Sequence, residues 1–293
     1  MTDSREIRPL IDADELALAV GSADPPIVLD IRWAAGKVQR DAYLAGHIPG
    51  AVFLDLDRDL AAPPGAGGRH PLPEPIALQT VWRRVGITGE SAVVVYDSKD
   101  SSVAARAWWL LRWSGLTDVR VLDGGFAGWS QDPDRAIAQG ERPDPVPGSV
   151  TVTPGGMPVV DADGAAALAT GTGVLLDARA AARYRGEIEP LDPIAGHIPG
   201  AANLPLTDLL HDDGTFLAAA RISDRIDAAV GSDGTGDVAA SCGSGVTACH
   251  LILAGALVGR KIALYPGSYS GWLALGRPVA VGAEPGGHRH LTF

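Results

Sequence analysis

The sequence predicts an α/β protein of two tandem domains, each a parallel sheet flanked by helices, and three observations predict it. The first is length: the chain has 293 residues, whereas one hydrophobic core commonly organises about 100–200. The second is an internal repeat that spans nearly the whole chain. The third is an alternation of short apolar runs with longer helical segments, the pattern of parallel strands joined by crossover helices.

The repeat is legible residue by residue. Ile11-Asp12-Ala13-Asp14 returns as Val160-Asp161-Ala162-Asp163, and Leu29-Asp30-Ile31-Arg32 as Leu176-Asp177-Ala178-Arg179. Gly46-His47-Ile48-Pro49-Gly50-Ala51 recurs unchanged as Gly196-His197-Ile198-Pro199-Gly200-Ala201. Gly124-Gly125-Phe126-Ala127-Gly128-Trp129 then returns as Gly267-Ser268-Tyr269-Ser270-Gly271-Trp272. The period is far longer than that of a solenoid, so each copy is a domain in its own right. The stretch from Gly140 to Pro158 is rich in proline and glycine and lacks helical periodicity, which suits a linker. We therefore expect an N-terminal domain over 1–140, a linker over 141–158 and a C-terminal domain over 159–293.

Within the first copy, Pro26–Leu29, Ala92–Tyr96 and Val119–Leu122 read as buried strands, and Val103–Trp113 as a helix. In the second copy, Val238–Ser241 reads as a strand and Ala248–Leu257 as a helix. Cys242 then falls at a strand-to-helix turn, where α/β domains place their ligands.

Composition narrows the function classes. An apolar share of 46% with 20% charged residues describes an ordinary soluble globular chain rather than a disordered one. A formal charge of -11 argues against nucleic acid, whose phosphates demand clustered Lys and Arg. The N-terminal residues lack an apolar signal core, and no run reaches membrane-spanning length, so a cytoplasmic protein without membrane contact is expected. The cysteines, Cys242 and Cys249, suit a reducing compartment better than a disulfide framework, and no Cys-rich zinc site can be built from them. No cofactor and no metal are expected.

The loop Cys242-Gly243-Ser244-Gly245-Val246-Thr247 carries the chemistry. Gly243 and Gly245 allow backbone N–H groups to converge on an anion at a helix N-terminus, which favours a thiolate and equally a persulfide formed on it. These glycines, with Val246 and Thr247, are candidate substrate-binding positions, and Thr247 is expected to cap the following helix. A cysteine is often only a small buried hydrophobe, but that role has no use for two glycines, a serine and a threonine at such a turn. Cys249, among Ala248, Leu251 and Ile252, is read as core.

Residues repeated in both copies are better read as structure than as catalysis, because only the second copy has the cysteine. Asp30 with Arg32, and Asp177 with Arg179, are expected to form internal ion pairs or loop anchors, and His47 and His197 fall under the same reasoning. Trp129 and Trp272 should pack each domain's end; Trp108, Trp109 and Trp113 have helical spacing and read as core.

The duplicated order Leu-Asp-x-Arg, Gly-His-Ile-Pro-Gly-Ala, cysteine loop and Gly-x-x-x-Gly-Trp resembles tandem-domain rhodaneses across nearly the whole chain. The Cys-Gly-Ser-Gly-Val-Thr loop resembles 3-mercaptopyruvate sulfurtransferases in particular. The resemblance implies that only the second domain is catalytic, which agrees with Tyr96-Asp97 standing where the second copy has Ser241-Cys242. It implies a proton-handling triad of Ser244, His70 and Asp57 across the domain interface, and arginines, Arg183 and Arg185, that grip a donor's carboxylate. The family commonly places another arginine just after the following Glu-Pro; here Glu189-Pro190 is followed by Leu191 and Asp192.

The implied activity is sulfur transfer from 3-mercaptopyruvate, through a Cys242 persulfide, to cyanide, a small thiol or a protein thiol. Thiosulfate, a dianion, would gain from a cation beside the nucleophile, where this loop offers only N–H groups and a hydroxyl. The alternatives are a thiosulfate sulfurtransferase, a non-catalytic persulfide carrier or binding module, and a Cys-dependent phosphatase. The last is disfavoured because Ala248 stands where such loops end in arginine.

Overall fold

The computed structural model describes residues 8–231 and 236–286, so the first residues of the segment read above for a signal core lie outside the described residues. The chain divides into two compact units. The first comprises the residues up to Leu60, Pro73–Met157 and Asp212–Thr215; the second comprises Ala61–Leu72, Pro158–His211 and the residues from Phe216 onward. Ala61–Leu72 thus leaves the copy in which it is written and belongs to the unit that contains Cys242, a departure from contiguous domains.

The first unit runs β1 (Leu10–Ile11), α1 (Ala13–Val20), β2 (Ile27–Asp30), α2 (Arg40–Ala45), β3 (Val52–Phe53), α3 (Leu56–Asp59), α4 (Pro75–Arg84), β4 (Val93–Tyr96), α5 (Ala104–Trp113), β5 (Val119–Leu122) and α6 (Gly125–Trp129). Its five strands are all parallel, in the order β1-β5-β4-β2-β3. Local chemistry sets several boundaries. Asp12 caps α1 in a reciprocal box with Glu15. Pro75 opens α4, where its missing N–H costs nothing.

The second unit repeats the plan with α7 (Ala162–Thr170), β6 (Val174–Asp177), α8 (Ala181–Tyr184), β7 (Ala202–Asn203), a short 3-10 turn at Leu206–Leu209, α9 (Ala219–Val230), β8 (Val238–Ser241), α10 (Ala248–Leu257), β9 (Ala263–Leu264) and α11 (Ser268–Ala274). Its parallel sheet is ordered β7-β6-β8-β9, and a single parallel bridge from Val159 to Leu264 stands in for β1. The strand and helix expected around Cys242 fall on β8 and α10 residue for residue. Among the described residues no helix is long and apolar enough to cross a membrane.

Strand register makes the two copies superimposable in logic. Asp30 pairs with Tyr96 across β2 and β4, and Asp177 with Ser241 across β6 and β8. The next residues, Asp97 and Cys242, are therefore true counterparts. The repeated pairs are the ion pairs expected: Arg32 and Arg179 each fork onto their aspartate, with Nη2 to Oδ2 at 2.7 Å in both copies. Each also donates to a carbonyl of the downstream loop, Gly46 or Gly196. His47 and His197 are buried, each placing Nδ1 on the carbonyl of the tyrosine it stacks against, Tyr43 or Tyr184. Trp129 and Trp272 lie in their units' cores, with indole N–H groups on Ala136 and Pro278 carbonyls. Trp108 and Trp109 are buried in α5.

Candidate active site

Cys242 sits at the carboxyl end of β8, an inner strand of its sheet, and is 1% exposed. The loop turns back over the sulfur. The N–H groups of Ser244 and Gly245 point at Sγ from 3.4 and 3.1 Å, a pair of dipoles complementary to negative charge there. Gly245 has φ of 82°, which suits glycine, and a Cβ on it would stand 2.4 Å from the Pro266 carbonyl.

Tyr265, just after β9, and the first turn of α11 fix the loop from behind. The Cys242 N–H donates to Ser268 Oγ at 3.0 Å, Ser268 Oγ donates to the Tyr265 carbonyl, and the N–H groups of Tyr269 and Ser270 donate to the carbonyls of Cys242 and Gly243. Ser268 is buried and held at φ 47°, a region that L residues seldom occupy. It marks a site held against local preference.

The first unit shows the same nest with an anion in it. Asp97 accepts N–H groups from Lys99, Ser101, Val103 and Ala104 at 2.9 to 3.1 Å. Burial, with the Asp100 carboxylate, still pushes its carboxyl above the ordinary range. A carboxylate in that seat cannot carry sulfur, whereas the thiol of its counterpart Cys242 can. Cys249 is fully buried within α10, its Sγ turned to the Gly245 carbonyl, as the core reading expected.

Among the other expected residues, the structure brings His70 to Ser244, with Nδ1 2.7 Å from Oγ. His70 comes from the Ala61–Leu72 segment, where the Arg69 N–H donates to Ser270 Oγ at 3.0 Å. Arg183 reaches the loop as well: a Cβ built on Gly243 would meet its Nη2 at 3.5 Å. Asp57 belongs to the first unit, exposed on α3, and accepts the Trp33 indole N–H at 3.0 Å.

Two expectations need correction. Arg185 does not join Arg183; it pairs with Glu187 at 2.6 Å in solvent. Residues two apart at a helix end point to opposite sides, so only one of the pair can face the loop. Thr247 occupies the cap position of α10 but has helical backbone angles and makes no side-chain cap bond. There the Val246 and Thr247 carbonyls instead accept the N–H groups of Cys249 and His250 in a tightened first turn. Val246 itself is buried.

Sequence reasoning passed over Arg69, Asp192, Glu189 and Ser268. Arg69 Nη2 would lie 2.8 Å from a Cβ on Gly243, so a second guanidinium overlies the loop. That overturns the view that the cysteine loop has no cation near it: none is adjacent in the chain, but two guanidinium groups lie over Gly243. Both are paired, Arg69 with Asp192 and Arg183 with Glu189 and Asp192. The signals available were the position of Arg69 beside His70 and the Leu191-Asp192 departure.

Comparison with known proteins agrees with this geometry. The pattern of the rhodanese-like domain matches residues 12–132 and 161–275. A probable 3-mercaptopyruvate sulfurtransferase of Pseudomonas aeruginosa is 43% identical over 281 residues, covering 93% of this chain and 98% of that protein. A putative thiosulfate sulfurtransferase, SseB, of Mycobacterium tuberculosis is 43% identical over 271 residues, covering 90% and 93%. The crystal structure of SseA from Escherichia coli, described as a 3-mercaptopyruvate sulfotransferase, superposes with a TM-score of 0.77 at 32% identity, covering 89% of this chain and 99% of that one. With the domain pattern found once in each half and these relatives covering nearly its full length, the chain belongs to the rhodanese family as a tandem pair of domains.

Proposed function

We propose that the chain is a sulfurtransferase that moves sulfur from 3-mercaptopyruvate to a cyanide or thiol acceptor through a persulfide on Cys242. Relatives of equal identity carry different donor names, so the donor is argued from the site. The observation that carries it is the contact of Ser244 Oγ with His70 Nδ1 at 2.7 Å, in the loop that holds the nucleophile. Mercaptopyruvate brings a thiol proton that must leave sulfur and a carbanion that must gain a proton; thiosulfate has neither need. A hydroxyl coupled to an imidazole is the group for that transfer.

In the first half-reaction the Cys242 thiolate attacks the donor's sulfur, the S–S bond forms and the donor's C–S bond breaks with its electrons going to carbon. The thiol proton passes through Ser244 and His70 to the enolate, giving pyruvate and a persulfide anion held by the Ser244 and Gly245 N–H groups. The acceptor then takes the outer sulfur and returns the thiolate. The proposal places the chain in the cytoplasm, where both free cysteines stay reduced and thiol acceptors abound.

The test is to feed the two donors side by side with one acceptor. Ser244→Ala is expected to lower kcat with 3-mercaptopyruvate by about 10²-fold, the usual worth of a general acid–base group, and to leave thiosulfate turnover within about threefold. Equal loss with both donors would remove the proton relay. The two guanidinium groups over Gly243 favour a second reading, thiosulfate as the working donor, and a higher kcat/KM for thiosulfate in the wild type would select it.

Gly243→Ala probes the same groups. The added methyl meets the far end of a flexible Arg69 side chain rather than backbone, so the fold should lose less than about 1 kcal/mol. The displaced guanidinium is expected to raise the donor's KM by about 3- to 10-fold with a smaller change in kcat. An unchanged KM would mean that Arg69 does not touch the donor.

A further inference from the structure

Six side chains of alternating charge run from the core of the second unit to the cysteine loop: Asp177, Arg179, Glu189, Arg183, Asp192 and Arg69. Successive contacts are 2.7 Å from Asp177 to Arg179, 3.6 Å from Arg179 to Glu189, 2.6 Å from Glu189 to Arg183 and 3.3 Å from Arg183 to Asp192; Asp192 then pairs with Arg69. The row is neutral, and its last two cations are those that overlie Gly243.

The two outer carboxylates are held differently. Glu189 accepts the Leu191 and Asp192 backbone N–H groups at 2.9 and 3.0 Å besides the Arg183 fork, so it is built into its loop. Among the described residues, Asp192 is held by guanidinium groups alone, Arg69 on Oδ1 and Arg183 on Oδ2. Its side chain is 2% exposed. Burial pushes its carboxyl above the ordinary range although both arginines pull the other way. A two-oxygen anion thus already sits on the two groups that would bind the carboxylate of an α-keto acid.

We propose that Asp192 is an internal occupant of the Arg69–Arg183 anion seat, exchanged for the carboxylate of the incoming donor, and so the residue that sets donor affinity and rejects weakly bound anions. The donor's identity rests on the sulfurtransferase reading; the seat itself requires only a small carboxylate. An internal competitor lowers apparent affinity by the fraction of time the seat is closed, and removing its charge lifts that penalty.

The probe is pyruvate, titrated calorimetrically into Cys242→Ser protein carrying Asp192, Asp192→Asn or Asp192→Glu, so that no turnover intervenes. Asp192→Asn is expected to lower the pyruvate Kd about tenfold, and Asp192→Glu, which keeps the charge, to stay within about threefold. Equal or weaker binding by Asp192→Asn, or no binding to any of the three, overturns the proposal. A crystal structure of wild-type protein with pyruvate tests it without that substitution: the keto acid's carboxylate is expected on Arg69 with Asp192 turned away, and pyruvate elsewhere with Asp192 still on Arg69 overturns it. Tighter pyruvate binding by Asp192→Asn, with no mercaptopyruvate turnover by protein that keeps Cys242, would instead retire the donor reading and leave the seat standing. Turnover with unchanged pyruvate affinity would do the reverse.

Discussion

Cys242→Ser is expected to abolish sulfur loading: no added sulfur mass on the residue-242 peptide after incubation with donor, and kcat lower by at least about 10³-fold. The replacement is nearly isosteric in a site that is 1% exposed. A serine oxygen can still accept the Ser244 and Gly245 N–H groups that now point at sulfur, so the fold should hold and the loss should be chemical. An alcohol at neutral pH is neither ionised nor able to bond sulfur reversibly, which removes both half-reactions at once. The control is Cys249→Ala. Its sulfur is enclosed in α10 and faces the Gly245 carbonyl, so this variant should load sulfur normally at some cost in stability, about 1 kcal/mol for a small core truncation. Loading that survives in Cys242→Ser and disappears in Cys249→Ala would reverse the assignment.

The features that sequence shows well here are those written along the chain. The duplicated order showed that one domain pattern is written twice, and because the Asp-x-Arg pairs occur in the copy without a cysteine, their structural role followed from chemistry alone; the structure has both forks at the same distance. Cys242 was legible because strand, glycine and helix signals converge on one turn. What sequence hid is decided in three dimensions. Arg69 stands far from Cys242 in the chain, and its charge reaches the loop only because Ala61–Leu72 packs with the second unit. Arg183 and Arg185 look equivalent in sequence, but helical phase separates them, one toward Gly243 and one toward Glu187. Ser268 is hidden for a third reason. Its counterpart is Gly125, at φ 55°, so the repeat shows glycine where the backbone demands it; the second copy accepts serine there because Oγ holds the Cys242 N–H. Residue type predicted a Thr247 cap, and the tightened turn at the start of α10 removed the geometry it required.

Arg179→Leu is expected to destabilise the second unit by about 3–5 kcal/mol, the usual cost of breaking a buried ion pair from one side. Arg179 and Asp177 are both 1% exposed at the side chain, so the substitution leaves a desolvated carboxylate with no cation. Its remaining polar support is the residue-179 backbone N–H, which donates to Oδ1 at 2.9 Å. The guanidinium also closes the Gly196 carbonyl and lies 4.1 Å from the ring centre of Tyr269, the residue whose backbone N–H fixes the Cys242 carbonyl. Burial disfavours the charge of Arg179, but Asp177 outweighs it and holds the guanidinium's proton more firmly than in free arginine. The counterpart change, Arg32→Leu, breaks the same fork beside Phe126 and should cost the first unit a similar amount. Denaturant unfolding followed separately for the two variants checks both values. Under conditions where each remains folded, Arg179→Leu should also lower turnover, because Glu189 loses one of its cations and the row ending at Arg69 is no longer neutral, whereas Arg32→Leu should leave turnover within about twofold. A loss below about 1 kcal/mol in either variant would show that water reaches the bared aspartate, and that the duplicated fork serves the loops more than the core.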